Sequence, residues 1–146
     1  MRNYSKTVGA LAAASTLVAG YASAEIEGEI HVGYHNKYEF RFVDLGNDLV
    51  EAGVDIAYET GPVTLSAGAW YATVSDNRGP LTSFSFDELD LYAGIATDFG
   101  PVGLEFGYIF YHFLDSSAAD TQELYLSASI DMFWGIGLGS TVYYDF

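Results

Sequence analysis

A short sequence motif that begins with a Gly-Pro turn occurs twice in the chain, at residues 61–68 and 100–107, and a degenerate third copy lies at 134–138. Each copy follows an acidic segment and opens a stretch in which apolar and polar residues alternate. Asp90-Leu91-Tyr92 precedes Asp98, and Glu123-Leu124-Tyr125 precedes Asp131, at the same offset. Such repeats indicate a β-hairpin unit, in which a tight Gly/Pro turn joins two strands.

Apolar and polar residues alternate with a period of two over most of the chain. This pattern predicts strands with one apolar and one polar face. Short turns around 60–62, 98–101 and 131–133 alternate with longer polar loops at 43–48, 75–85 and 114–121. The fold class predicted is therefore all-β, an antiparallel up-and-down meander of about seven strands. These strands cover residues 26–42, 49–59, 63–74, 86–97, 102–113, 122–130 and 134–146.

The first 24 residues have the three regions of a signal peptide in order. Arg2 and Lys6 give a positive start, an apolar run follows at 8–19, and the small-residue site at 22–24 precedes Glu25. The apolar run is too short to span a membrane as a helix. We expect residues 1–24 to be a signal peptide and residues 25–146 to form one domain.

The charge of the expected mature chain is strongly negative. All 20 acidic residues follow the cleavage site, whereas only Lys37, Arg41 and Arg78 remain of the basic ones, so the net charge is near −17. Such a chain would repel nucleic-acid phosphates, and we expect no nucleic-acid partner. It has no cysteine, so the sheet must hold together without disulfides.

A signal peptide, alternating strands, and short turns at one end with longer loops at the other are typical of an outer-membrane β-barrel. Lipid tolerates only a closed sheet, because an open edge would leave backbone groups unpaired. Each strand is close to the ~9–11 residues that cross the hydrocarbon core when tilted. The predicted location is the cell outer membrane, with outer-membrane lipids as partners. The alternative is a soluble periplasmic or secreted β-barrel binding protein with its apolar face inside.

Aromatic residues lie near the predicted strand ends on the apolar face, as in the interfacial girdles of membrane barrels. Tyr58 and Trp134 are near the short turns, and Tyr71 and Phe110 lie toward the long loops. The terminal residues 144–146, Tyr-Asp-Phe, look like the aromatic signature that the barrel-assembly machinery reads, which predicts that machinery as a partner.

The chain resembles the TorF-like putative outer-membrane proteins of Gram-negative bacteria. The similarity lies in Gly33-Tyr34 through Tyr38-Glu39-Phe40-Arg41, and it continues in the segments at 67–70, 88–94 and 107–111. Phe42 stands where that family usually has glycine, and Asn36-Lys37 replaces a more usual Ser-Asp. The resemblance implies an outer-membrane barrel, and it implies neither an activity nor functional residues.

The predicted strand number is odd, whereas single-chain bacterial barrels have an even number and close antiparallel. Three explanations stay open. The sequence is a fragment of a longer barrel truncated at its C-terminus; or the first strand is two strands broken near residues 35–37; or the barrel closes with parallel strands. We favour the first explanation, because members of the family that the chain resembles are generally longer. The terminal aromatic signature argues the other way, since it favours a complete chain.

No residue pattern predicts catalysis, a cofactor or a metal site, so we expect no enzyme. His31 and His35 share a face but lie about 13 Å apart along a strand, too far to bind one metal. His112 ends a strand and is expected at an interface. The acidic residues Asp87, Glu88 and Asp90 could gather a cation through hard oxygen ligands, although a solvated rim explains them as well.

Carboxylates greatly outnumber bases on the predicted inner face. They are Glu51, Asp55, Glu88, Asp90, Glu105 and Glu123. In a narrow lumen some would stay protonated or hold cations, so cations are possible partners. The function predicted is a structural or passive-transport role with an acidic lumen. Side chains fill the interior of a barrel of about eight strands, so that nothing passes, whereas the acidic lining of a wider barrel would favour the passage of cations.

Overall fold

The computed structural model describes residues 18–19, 26–77, 83–114, 118–132, 134 and 136–146. These residues form one sheet in which consecutive strands pair antiparallel in chain order. The strands are β1 (Val18–Ala19), β2 (Ile26–Phe40), β3 (Val43–Thr60), β4 (Val63–Asn77), β5 (Ser83–Phe99), β6 (Val102–Phe113), β7 (Thr121–Asp131) and β8 (Gly137–Asp145). The predicted all-β antiparallel meander of seven long strands is confirmed, and the sheet is open within the described residues.

The expected signal peptide, residues 1–24, lies outside the described residues except for Val18 and Ala19. These two residues form the short β1 and pair with Ile30 and Glu29 of β2. No helix among the described residues is long and apolar enough to cross a membrane.

The hairpin between β2 and β3 is tighter than the sequence predicts. Arg41 and Phe42 form a two-residue turn with φ angles of 49° and 68°, and β3 begins directly afterwards. The predicted loop at 43–48 is therefore wrong. Two successive positive φ angles are typical of a type I′ hairpin turn, which Asn and Gly usually occupy. In addition, β2 is one continuous strand, which excludes the proposed break near residues 35–37.

The last strand begins later than predicted, because a longer turn precedes it. The Met132 N–H donates to the Ile136 carbonyl at 2.7 Å, and Trp134 has a φ of 65°. Strand β8 therefore starts at Gly137 rather than at residue 134.

One face of the sheet is concave. Tyr38 of β2 donates a hydrogen bond to Glu88 of β5, and Arg41, which follows β2, contacts Glu123 of β7. In a flat sheet β2 and β7 would lie about 24 Å apart, five strand spacings. These contacts require the sheet to curl so that its first and last hairpins approach each other.

The polarity of the sheet is the reverse of that of a soluble sandwich. The six carboxylates predicted to point inward lie on the concave face, where four of them are buried. The opposite, convex face carries exposed apolar side chains, among them Ile30, Val32, Val54, Ile56, Leu91, Ile95, Phe106, Leu126 and Val142. The alternation predicted from the sequence thus has its polar set inside and its apolar set outside.

The predicted faces are reversed at the end of β2. Strict alternation along the strand from Ile30, Val32 and Tyr34 predicts Tyr38 and Phe40 on the apolar face. In the structure Tyr38 is buried on the concave face, and Phe40 packs beside it. Asn36 and Lys37 are both exposed, so the alternation changes parity there, and the pairing register shifts after Tyr38. The core of the concave face consists of Tyr38, Leu49, Trp70, Ala72 and Val74.

Candidate functional site

The candidate site is the acidic concave face, on which the structure places all six carboxylates predicted to point inward. The side chains of Glu51, Glu88, Asp90 and Glu123 are buried, and those of Asp55 and Glu105 are half-buried. Burial of a charged group is costly unless it is paired or hydrogen-bonded. The partners of these carboxylates therefore decide what the face can do.

Aromatic side chains supply hydrogen-bond donors to five of the six carboxylates. The donor-to-acceptor pairs are Trp70 Nε1 to Glu51 (2.6 Å), Tyr92 Oη to Asp55 (2.5 Å), Tyr38 Oη to Glu88 (3.2 Å), Tyr125 Oη to Glu105 (2.5 Å) and Tyr111 Oη to Glu123 (3.0 Å). Hydrogen bonds to ionised groups are among the stronger ones in proteins. Asp90 is the exception, since its buried Oδ1 has no partner.

Glycines make room for several of these rings. Tyr125 pairs with Gly107 on the neighbouring strand, and Tyr92 pairs with Gly68. A Cβ atom at Gly107 would lie 2.3 Å from the Tyr125 ring, and one at Gly68 would lie 2.4 Å from the Tyr92 ring. The rings thus lie across glycine to reach carboxylates on the same face.

We expect Gly107→Ala to destabilise the protein by about 1–3 kcal/mol, because the added methyl group must displace the Tyr125 ring and strain its bond to Glu105. Gly139→Ala, in the neighbouring part of the sheet, is the matched control, because its Cβ would meet only atoms at 3.6 Å or more. Denaturant unfolding measures both variants. Equal effects would contradict the close packing of Tyr125 on Gly107.

The two histidines of β2 have separate carboxylate partners. His31 Nε2 lies 3.5 Å from Asp55 Oδ2, and His35 Nε2 lies 3.1 Å from Glu51 Oε1. Each histidine thus lies beside a different carboxylate. Within the described ranges, no group of three or more His, Cys, Asp or Glu side chains is placed to hold a metal ion. Alternation along β5 also separates Asp87 from Glu88 and Asp90, so the three acids do not converge.

Arg41 binds across the concave face from the first hairpin turn. Its Nη1 and Nη2 donate to the two Glu123 oxygens at 2.7 and 2.6 Å, which is a bidentate pair. The guanidinium also lies 3.5 Å from the centroid of the Tyr143 ring on β8 and 4.5 Å from that of Phe40. Planar Arg–carboxylate pairs and contacts with ring faces both favour arginine over lysine. Arg41 therefore links the start of the sheet to its last two strands.

His112 lies near the end of β6, as expected. Its Nδ1 is 2.8 Å from Asp120 Oδ1 in the connection to β7, and the Phe113 N–H donates to the same oxygen at 3.2 Å. The hydrogen bond with His112, together with that backbone bond, holds the pKa of the exposed Asp120 carboxyl below its usual value. This pair fixes the connection at the rim and does not reach the concave face.

Sequence reasoning did not predict the aromatic donors or the Arg41 link. A usable signal was present, because Trp70, Tyr92, Tyr111 and Tyr125 all occupy polar-face positions of their predicted strands. A buried tyrosine or tryptophan usually finds a hydrogen-bond partner, and carboxylates were the acceptors available on that face.

A family model described as a bacterial protein of unknown function, Gcw_chp, matches residues 19–144. No curated protein and no solved structure matches the chain significantly.

Proposed function

The chain belongs to the Gcw_chp family of bacterial proteins of unknown function, and we propose that it is an outer-membrane β-barrel protein with a structural role. The observation that carries this proposal is the inverted polarity of the curled sheet. Acidic and hydroxyl-bearing side chains are on the concave face, and aliphatic side chains are exposed on the convex face. In water such a surface would be a large exposed apolar patch, whereas in a bilayer it contacts acyl chains.

The dimensions of the strands fit this location. From β2 to β8 they have 9 to 18 residues, and about 9–11 residues cross the hydrocarbon core when tilted. Exposed rings occur toward both ends of the convex face, with Tyr58 and Phe99 at one end and Tyr34 and Tyr71 toward the other. Outer-membrane lipids are the partners that this arrangement favours, and the rings suit the two interfaces.

The filling of the concave face favours a structural role over passive transport. Tyr38, Trp70, Tyr92, Tyr111 and Tyr125 lie over this face and are tied to carboxylates by hydrogen bonds. Side chains arranged in this way fill a narrow barrel and leave no wide aqueous channel. We propose no enzymatic activity, since the carboxylates of this face are engaged by aromatic and basic side chains in the described residues.

The resemblance to the TorF-like outer-membrane proteins supports the same location. Its segments at 67–70, 88–94 and 107–111 lie in β4, β5 and β6. The expected signal peptide and the aromatic residues 144–146 fit export and insertion by the barrel-assembly machinery, which is the protein partner that we propose.

Expression of the full chain in a Gram-negative host tests this proposal. We expect the protein in the outer-membrane fraction, with a gel mobility in detergent that changes on boiling, because a barrel that closes in the membrane would resist unfolding. Recovery as a monomer in the periplasm or medium without detergent would contradict it. That result would favour the alternative, a soluble periplasmic or secreted binding protein.

A further inference from the structure

One buried carboxylate oxygen on the concave face has no partner in the described part of the chain. Asp90 is 8% exposed, and its Oδ1 accepts no hydrogen bond. Glu88, two residues earlier on the same face of β5, is 4% exposed. Glu88 and Asp90 are two residues apart on β5, so their side chains are neighbours on the same face of the strand. Two adjoining buried carboxylates repel each other unless a proton or a cation lies between them.

The neighbouring donors are already used elsewhere. Asp90 lies in register between Trp70 of β4 and Tyr111 of β6. The Trp70 N–H donates to Glu51, and the Tyr111 hydroxyl donates to Glu123. Tyr38 donates only a long bond, 3.2 Å, to Glu88 Oε2. None of these groups is therefore directed at Asp90 Oδ1.

The basic side chains described on this face are also engaged. Arg41 pairs with Glu123, His35 with Glu51 and His31 with Asp55. Lys37 lies at the rim, where it contacts Glu39 and Asp44. None of these four basic side chains is therefore directed at the adjoining acids Glu88 and Asp90.

We propose that Glu88 and Asp90 together bind one hard divalent cation, with Asp90 Oδ1 and a Glu88 oxygen as protein ligands and water as the remaining ligands. Carboxylate oxygens are the ligands that Mg²⁺ and Ca²⁺ prefer, and Mg²⁺ is commonly held by only one or two carboxylates. Softer metals prefer histidine or cysteine, and neither residue adjoins the pair in the described ranges. The site does not depend on what covers the convex face, because the pair lies on the opposite side.

Calorimetric titration of the chelator-treated, folded full chain with Ca²⁺ and with Mg²⁺ tests this site. The variants are Asp90→Asn and Glu88→Gln, which keep the shape of each side chain and remove its charge. Asp87→Asn is the matched control, because Asp87 precedes Glu88 on β5 and faces the opposite way. Thermal unfolding with and without the cation is measured on all four proteins, so that folding defects are recognised.

We expect one cation of at least one of the two kinds to bind per chain and to raise the midpoint of thermal unfolding. Asp90→Asn and Glu88→Gln should each weaken cation binding by at least about tenfold. That factor is the lower end of the loss of metal affinity seen when a group that supports a metal is removed. Asp87→Asn should leave binding unchanged. Should Asp90→Asn not fold, Glu88→Gln provides the same comparison.

Two results would overturn the proposal. Absence of saturable binding to the unsubstituted protein would indicate that a shared proton holds the two acids together. Binding of equal strength in Asp90→Asn, Glu88→Gln and Asp87→Asn would indicate that cations associate with the acidic surface in general. Neither result bears on the outer-membrane proposal, which rests on the convex face and is tested by fractionation.

Discussion

Leu91→Arg is expected to destabilise the protein by about 2–4 kcal/mol in a lipid bilayer, the cost of a basic side chain near the midplane of a membrane barrel. Leu91 is the middle residue of β5 and lies on the convex face, where 44% of it is exposed. If that face contacts acyl chains, the guanidinium must be taken from water into hydrocarbon.

Phe99→Arg is the matched control for this prediction. Phe99 lies on the same face of the same strand, at its end, and is 64% exposed. We expect a cost of about 0–1 kcal/mol there, since the penalty falls toward the interface. Reversible unfolding from lipid vesicles by denaturant measures both variants. A small and equal effect of the two substitutions would contradict contact between the convex face and lipid.

Arg41→Gln is expected to lower the free energy of unfolding by about 2–3 kcal/mol, because it leaves the buried Glu123 without a charged partner. A fully buried pair would lose more, but 35% of the Arg41 side chain is exposed. The substitution also removes the contacts of the guanidinium with the Tyr143 and Phe40 rings. The link between the first hairpin and the last two strands would be lost with them.

Lys37→Gln is the control for Arg41→Gln, since Lys37 makes exposed ion pairs with Glu39 and Asp44. Such surface pairs contribute about 0–1 kcal/mol. Arg41→Lys should be intermediate, because lysine keeps the charge and loses the bidentate geometry. Urea unfolding of the four proteins in detergent provides the comparison. If Arg41→Gln cost no more than Lys37→Gln, Arg41 would not be the link that we describe.

Much of the architecture was predictable because alternation is a local property of the sequence. The strand from Val102 to Phe113 has the predicted bounds, and the Gly-Pro turns at 61–62 and 100–101 separate the strands as expected. The set of inward carboxylates was also predictable, because residues two apart on a strand share a face.

The predictions that were wrong concern the hairpin between β2 and β3. Its turn residues, Arg41 and Phe42, have positive φ angles that non-glycine side chains rarely adopt, so the sequence carries no turn signal there. The polar composition of residues 43–48 predicts a loop, whereas residues in this stretch pair with β2. Because Asn36 and Lys37 are both exposed, the alternation changes parity and Tyr38 lies on the concave face. A strictly alternating pattern does not predict such a change of parity.

The partners on the concave face could not be predicted, because they depend on how far the sheet curls. The bond from Tyr38 to Glu88 and the pair between Arg41 and Glu123 join residues 50 and 82 positions apart. Alternation fixes which face a side chain occupies, but not which strands approach each other across that face. The partners of Asp90 could not be predicted for the same reason. Only the positions of the neighbouring donors show that none of them is directed at Asp90 Oδ1.

Spin labels on alternate residues of β5 report directly which face of the sheet contacts lipid. The chain has no cysteine, so single cysteines at Ala93, Ile95 and Ala96 can each be labelled without removing others. Ala93 and Ile95 are exposed on the convex face, whereas Ala96 is half-buried on the concave face. In vesicles we predict that labels at 93 and 95 collide with oxygen dissolved in the acyl chains and that the label at 96 does not. Labels at 93 and 95 that collide instead with a water-soluble nickel complex would contradict a membrane-facing convex surface.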